Sequence, residues 1–145
     1  MLTGCSQRMF TPVISSEFTL NAVYRTGDFS YNCIITKDEN SLTIEPTSTK
    51  AEGLKITYNG KEVVIGNGKF EKSFAADEID SSNPAKLLFG VFESIENAEV
   101  KRVNSSFQYV GKTALGDFVL VQNDDNSYES LSIPNADIEV DFVYK

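Results

Sequence analysis

The sequence predicts a mainly β (α+β) fold, a curled antiparallel sheet of about 9–11 strands forming a half-barrel with one amphipathic helix on its concave face. Three observations predict it. Apolar and polar residues alternate with period two through most of the chain beyond residue 16, the pattern of half-buried strands. Two Asn-Gly pairs, Asn59-Gly60 and Asn67-Gly68, interrupt the alternation. Type I′ hairpin turns need positive φ at both central residues, which Asn and Gly tolerate best. One segment, SSNPAKLLFGVFESIENAEV, departs from period two and takes up helical spacing.

The elements follow in order. Phe18, Leu20, Ala22 and Tyr24 share one strand face, with Thr19, Asn21 and Arg25 on the other. Thr26-Gly27-Asp28 is a turn, and Phe29, Tyr31, Cys33 and Ile35 repeat the alternation. Lys37-Asp38-Glu39-Asn40 reads as a polar turn, and Leu42 and Ile44 mark a third strand that Pro46 ends. Residues 54 to about 74 form a tight meander in which Leu54, Ile56 and Tyr58 face the same way as Val63 and Ile65. In the helical segment Leu87, Leu88, Val91, Phe92 and Ile95 make one apolar stripe. Asn83 suits the N-cap and Pro84 the first turn. Gly90 costs this helix ~1 kcal/mol relative to alanine. A helix this short is marginal alone, so its stripe must be buried against the sheet.

Strands return with Phe107 and Tyr109, followed by a loop over Gly111–Gly116. Phe118 and Leu120 alternate with Asp117, and Val119 and Val121 make this strand apolar on both faces, as expected of a central one. Asn123-Asp124-Asp125-Asn126 turns into SYESLSI, and Pro134-Asn135 turns into a last strand of Ala136, Ile138, Val140 and Phe142. Short connections argue for neighbours in sequence being neighbours in the sheet. A sheet of this size curls as twist accumulates, which leaves its concave apolar face for the helix.

Composition narrows the chemistry. A net charge of −8 repels phosphate backbones, so nucleic acid is not an expected partner. The chain has no histidine, which excludes Ser-His-Asp and Cys-His catalysis and His-ligated zinc. Two cysteines cannot build a four-cysteine metal site. No apolar run reaches the ~20 residues of a transmembrane helix. Asp124-Asp125-Asn126 has oxygen ligands but lacks the spacing of a calcium loop, and reads as a solvated turn. Asp137, Glu139 and Asp141 read as the solvent side of the last strand, a like-charged row that would discourage pairing if that strand were an edge. Tyr24, Tyr31, Tyr58 and Tyr109 are expected at sheet ends, rings buried and hydroxyls in water. No cluster nominates a catalytic residue, and no cofactor or metal is expected. Cys33, on an apolar strand face, reads as a buried thiol, with a disulfide to Cys5 the competing arrangement.

Leu2-Thr3-Gly4-Cys5 resembles the lipobox of bacterial lipoproteins: an aliphatic residue, a small residue, glycine, then the cysteine that is lipidated. Small residues let the peptidase approach the backbone. Such a signal carries basic and apolar segments upstream, so Met1 reads as a late start. Residues 1–15 are then expected to be a lipobox remnant and flexible tether, and 16–145 a single half-barrel domain. The phrases GLKITYNGKEVVIGNG, NPAKLLFGVFESI and GDFVLVQNDDNSYESLSIPNADIEVDF are similar to small surface lipoproteins of Gram-positive bacteria, which resemble the LolA-like half-barrel group of lipoprotein carriers. That resemblance implies an eleven-stranded half-barrel with helical cover, a binding or carrier role and no catalytic residues. Carriers in that group have longer helical lids than the single helix evident here.

The expected protein is therefore a non-enzymatic extracytoplasmic lipoprotein, anchored to a bacterial membrane through lipid on Cys5, that binds or carries an apolar ligand such as a lipid. Phe18, Leu20, Tyr31, Ile56, Leu88, Phe92, Phe118 and Ile138, on the concave face, are the candidate ligand contacts. The alternative is a tethered interaction domain whose core is filled and whose surface meets another envelope protein. An open apolar channel would favour the first and a closed interior the second.

Overall fold

The computed structural model describes residues 17–48 and 53–143. The lipobox, Cys5 and the tether fall outside the described residues. Strands β1 (Phe18–Thr26), β2 (Phe29–Lys37), β3 (Leu42–Pro46), β4 (Lys55–Tyr58), β5 (Glu62–Gly66) and β6 (Glu71–Ala75) precede the helix α1 (Pro84–Ser94). Strands β7 (Glu99–Val103), β8 (Ser106–Thr113), β9 (Gly116–Asn123), β10 (Tyr128–Ile133) and β11 (Ile138–Val143) follow it.

All eleven strands form one antiparallel sheet in the order β6-β5-β4-β3-β2-β1-β11-β10-β9-β8-β7. Strand β1 lies mid-sheet, and from it the chain winds outward to β6. It then crosses through α1 to the opposite edge and winds back until β11 lies beside β1, with Ala22 opposite Phe142 and Tyr24 opposite Val140. The helix contacts β3 and β4 on one wing and β8 on the other. In a flat sheet β3 and β8 would lie about 29 Å apart at the usual strand spacing, which a helix ~10–12 Å wide cannot bridge. The sheet therefore curls around α1, as the sequence predicts, without closing.

The helix begins where its sequence says it should. Asn83 Oδ1 accepts from the amides of Ala85 at 3.1 Å and Lys86 at 3.2 Å, and Pro84 sits in the first turn. Its buried face is Ala85, Leu87, Leu88, Val91 and Phe92, continued by Ile95 in a following 3-10 turn. These join inward side chains of both wings in one continuous cluster that includes Ile35, Leu42, Ile44, Tyr109, Phe118, Leu120, Leu131 and Val140. Burying a side chain of this size contributes roughly 1.5–3 kcal/mol, which holds a helix too short to stand alone.

Several expectations change. The helical segment was expected to run through Val100, but helix ends at Ser94 and Glu99–Val103 is edge strand β7. Every residue of β7 is exposed, so it lacks the alternation that marks a half-buried strand. The loop expected over Gly111–Gly116 is mostly strand, because β8 extends to Thr113 and only two residues connect it to β9. Ala136 belongs to a 3-10 turn, and Asp137, at φ 53°, resets the chain before β11 begins at Ile138. Lys37 ends β2 with 2% exposure instead of lying in a polar turn. Phe29 keeps the parity of Tyr31 but lies beyond the end of the core, 57% exposed. Strand β9 is third from an edge, and β11 is interior, so its acidic row guards no free edge. That row instead meets Arg25, which ion-pairs with Glu139 and lies 3.8 Å from Asp137. The tyrosine expectation fails at two positions. The Tyr109 hydroxyl donates to buried Gln122 at 2.6 Å, and the buried Tyr24 hydroxyl has no hydrogen-bond partner among the described residues.

Candidate functional site

The eight concave-face candidates divide between core and rim. Leu88 and Phe118 have no exposure, and Phe92 and Ile138 are also buried. Phe18, Leu20, Tyr31 and Ile56 are half-buried and pack against the same core. Phe18 and Phe92 are brought together edge to face, ring centroids 5.0 Å apart, and Tyr128 lies 5.7 Å and 5.5 Å from them. Tyr31 stacks on Tyr24 at 5.4 Å. Phe118 lies under Gly111, where an added Cβ would come within 2.6 Å of its ring. Among the described residues, side chains of the helix and both wings thus pack against one another across the concave face. Burial pushes the Cys33 thiol up to about 12 and the Tyr109 hydroxyl up to about 12, so both stay protonated near neutrality. Burial raises the Tyr24 and Tyr31 hydroxyls as well, reinforced by neighbouring ionisable groups. None of these groups is poised as an acid, base or nucleophile.

A cleft lies on the other side of the helix. It holds about 430 Å³ and is lined by Tyr58, Ser81, Lys86, Leu87, Phe89, Gly90, Glu93 and the β8–β9 corner Lys112–Ala114. Tyr58 and Phe89 meet edge to face at 5.2 Å. Lys86 Nζ donates to the Ala76 carbonyl at 2.7 Å and the Ile79 carbonyl at 3.0 Å, which pins its charge at the cleft wall. Nearby, hydrogen bonds from the Ser82 amide and hydroxyl hold the Asp80 carboxyl below its usual range, and the Lys86 charge adds to this. Lys112, on the exposed corner, is 3.9 Å from Asp117.

Glu93 faces the cleft and lies 3.4 Å from Lys37 Nζ. That ammonium also donates to the Asp38 carbonyl at 2.6 Å and sits 5.2 Å from the Phe89 ring centroid. A buried lysine therefore ties the end of β2 to the outer side of the helix. A second cleft of about 390 Å³ is lined, among the described residues, by Asn21, Ala22, Val23, Asn32, Cys33, Thr47 and Val143. None of the eight concave candidates lines either cleft.

Sequence reading did not gather Tyr58, Phe89, Lys112 and Lys37 into one region. Its only signal was Gly90, a helix-weakening residue in the middle of the one helix. Asp125 accepts from the Ser127 amide at 3.0 Å and hydroxyl at 2.6 Å, which lowers its carboxyl pKa and closes the β9–β10 turn. Among the described residues no group of three or more Cys, Asp or Glu gathers in metal-binding geometry.

No family model matches the chain, and no curated protein matches it. Among solved structures, the chain is similar to one from the CwlD amidase of Clostridioides difficile in complex with the GerS lipoprotein. Identity is 16% and the TM-score 0.46, over 91% of this chain and 83% of that chain.

Proposed function

We propose that the protein is a membrane-tethered extracytoplasmic interaction domain that binds another envelope protein and performs no catalysis. The filled interior carries this reading. Leu88, Phe118, Leu120 and Leu131 have no exposure and occupy the space between helix and sheet that a carried lipid would need. A carrier would have to separate α1 from both wings and give up the burial that holds the helix in place. The non-catalytic part rests on the lack of histidine and on the protonated, inaccessible Cys33 thiol.

The tether rests on Leu2-Thr3-Gly4-Cys5, whose cysteine would take the lipid. Two or more acyl chains hold a protein stably on a bilayer, whereas one is marginal. Metabolic labelling with a fatty acid, in cells expressing the gene with its natural upstream sequence, should mark wild type and not Cys5→Ser. Equal labelling of both would remove the tether from the account. Recovery of an envelope protein in stoichiometric amount from solubilised membranes is expected. Recovery of none at any salt concentration would refute the interaction role.

A further inference from the structure

We propose that two copies of this chain pair through their β7 edges, antiparallel and centred on Val100, so that two sheets join into one. The proposal is independent of the envelope-protein reading above and adds a surface for self-association.

The edge itself is open to such pairing. The sheet ends at β7, and all five of its residues, Glu99 to Val103, are exposed. The outer row of backbone donors and acceptors on an edge strand is a template for another strand. Proline and bulges, which blunt many edges, are absent from β7, whose register with β8 runs unbroken from Glu99 opposite Val110 to Val103 opposite Ser106. Val100 leaves a large apolar side chain 46% exposed on this rim. Lys101 is the kind of charge that guards an edge, but Glu99, two residues away, makes it half of a complementary pair.

The hairpin fixes which backbone groups point outward. Only Asn104 and Ser105 connect Val103 to Ser106. The pair flanking so tight a turn exchanges backbone bonds, and bonded pairs alternate with non-bonded ones along an antiparallel ladder. Val103, Lys101 and Glu99 therefore direct their backbone groups at β8, and Val100 directs its own away from it. Two copies meeting at Val100 exchange two backbone bonds there and cover each other's valine. Glu99 of each copy then stands in a non-bonded pair with Lys101 of the other, the arrangement that brings facing side chains closest.

Charge selects both the register and the partner. In a two-fold antiparallel pair, opposing residues lie equally far from the centre, so their numbers differ by an even amount. Glu99 and Lys101 satisfy this about Val100 and meet twice. Their side chains share one face of the sheet, and among the described residues neither has an ion-pair partner of its own. Centring on Glu99, Lys101 or Arg102 instead would set that charge against its own copy. The opposite edge fails the same test. In β6 the charged residues Glu71 and Lys72 are adjacent, so no two-fold register opposes them. The order Glu99-Val100-Lys101, read backwards, is its own charge complement, which makes a second copy the matching occupant of this edge. A strand of five residues spans only about 17 Å, and a net charge of −8 on each copy opposes association, so the dissociation constant is expected at about 0.1–1 mM.

The test dilutes the 15N-labelled full chain from about 2 mM to 0.05 mM in about 0.15 M salt, with sedimentation in parallel. Amides of Glu99–Val103 should shift with concentration, exchange at the Val100 amide should slow as concentration rises, and sedimentation should report a dimer. Glu99→Lys and Lys101→Glu, each at an exposed side chain, set like charges opposite one another twice and should each weaken association at least about tenfold. An equimolar mixture of the two variants should associate again, and so should the chain carrying both changes, because a lysine then faces a carboxylate in every pair. A monomer at about 2 mM, association indifferent to the single reversals, or failure of the mixture to recover would overturn the proposal. Growth beyond a dimer would overturn it as well. So would a Val100 amide protected equally at every concentration, which would mean that another part of the same chain covers the edge.

Discussion

The two faces of α1 are built on opposite terms. The inner face, Ala85, Leu87, Leu88, Val91 and Phe92, is packed against strands from both wings and has almost no exposure. The outer face presents Lys86, Phe89, Gly90 and Glu93 to a cleft. Inward, apolar side chains hold the sheet's curl. Outward, a glycine the fold does not need lies among aromatic rings and ammonium groups. The contrast teaches that the helix is a plug on one side and a presented surface on the other.

Four predictions bear on that contrast. Leu88→Ala removes a fully buried side chain between helix and sheet and should cost about 2–5 kcal/mol in denaturant unfolding. A cost below about 1 kcal/mol would mean that the interior is loose enough to open, and the two faces would no longer differ in kind.

Alkaline stability reports on the same inner region. The Cys33 thiol is raised from 9.0 to about 12 and the Tyr109 hydroxyl from 10.0 to about 12. The native state therefore keeps protons that the unfolded chain releases. Their stabilising contribution is complete below pH 9 and is lost as pH climbs from 9 through 12. Denaturant midpoints should fall over that window, and Cys33→Ala or Tyr109→Phe should each flatten the decline. A midpoint independent of pH up to 11 would contradict the burial assigned to these groups.

Where the faces meet, Glu93→Gln leaves the Lys37 ammonium without its carboxylate and should cost about 1–3 kcal/mol, limited by water reaching Glu93. Lys37→Met, which replaces the charge with an apolar chain of similar length, should change stability by less than about 1 kcal/mol. Equal losses in both variants would show that the attraction itself, and not relief of an unpaired charge, holds this tie.

The smallest effects come from a pair of glycines. Gly111→Ala forces a methyl against the Phe118 ring and should destabilise by about 1–3 kcal/mol. Gly90→Ala meets open space and should stabilise by about 0.5–1 kcal/mol in thermal or denaturant unfolding. Destabilisation by Gly90→Ala would give Gly90 a structural purpose and erase the asymmetry between the two faces.

Most of the architecture was legible because it is written in local periodicity. Asn59-Gly60 and Asn67-Gly68 do mark the β4–β5 and β5–β6 connections, with Ile56 opposite Ile65 and Tyr58 opposite Val63, but only Gly60 and Gly68 take positive φ, so each asparagine opens the turn and the expected type I′ geometry is not formed. The stripe from Leu87 to Ile95 did mark the face that meets the sheet. Strand β7 was illegible because none of its five residues is buried, so no alternation exists to read. Lys37 was illegible for the opposite reason. A lysine beside Asp38 and Glu39 looks like a turn until the fold brings Glu93 and Phe89 to it. The cleft joins residues of β4, α1 and the β8–β9 corner, a juxtaposition created only by the curl. Reading the concave face as a ligand site followed from its apolar character alone. Sequence pattern places side chains on a face but does not say whether the helix leaves space there.

The central claim is that the space between helix and sheet is occupied by the protein itself. Native mass spectrometry of the protein isolated from the cells that make it tests it most directly. The account predicts the mass of the chain with its covalent modifications alone, unchanged by gentle activation. A non-covalent lipid bound in stoichiometric amount and released on activation would contradict it.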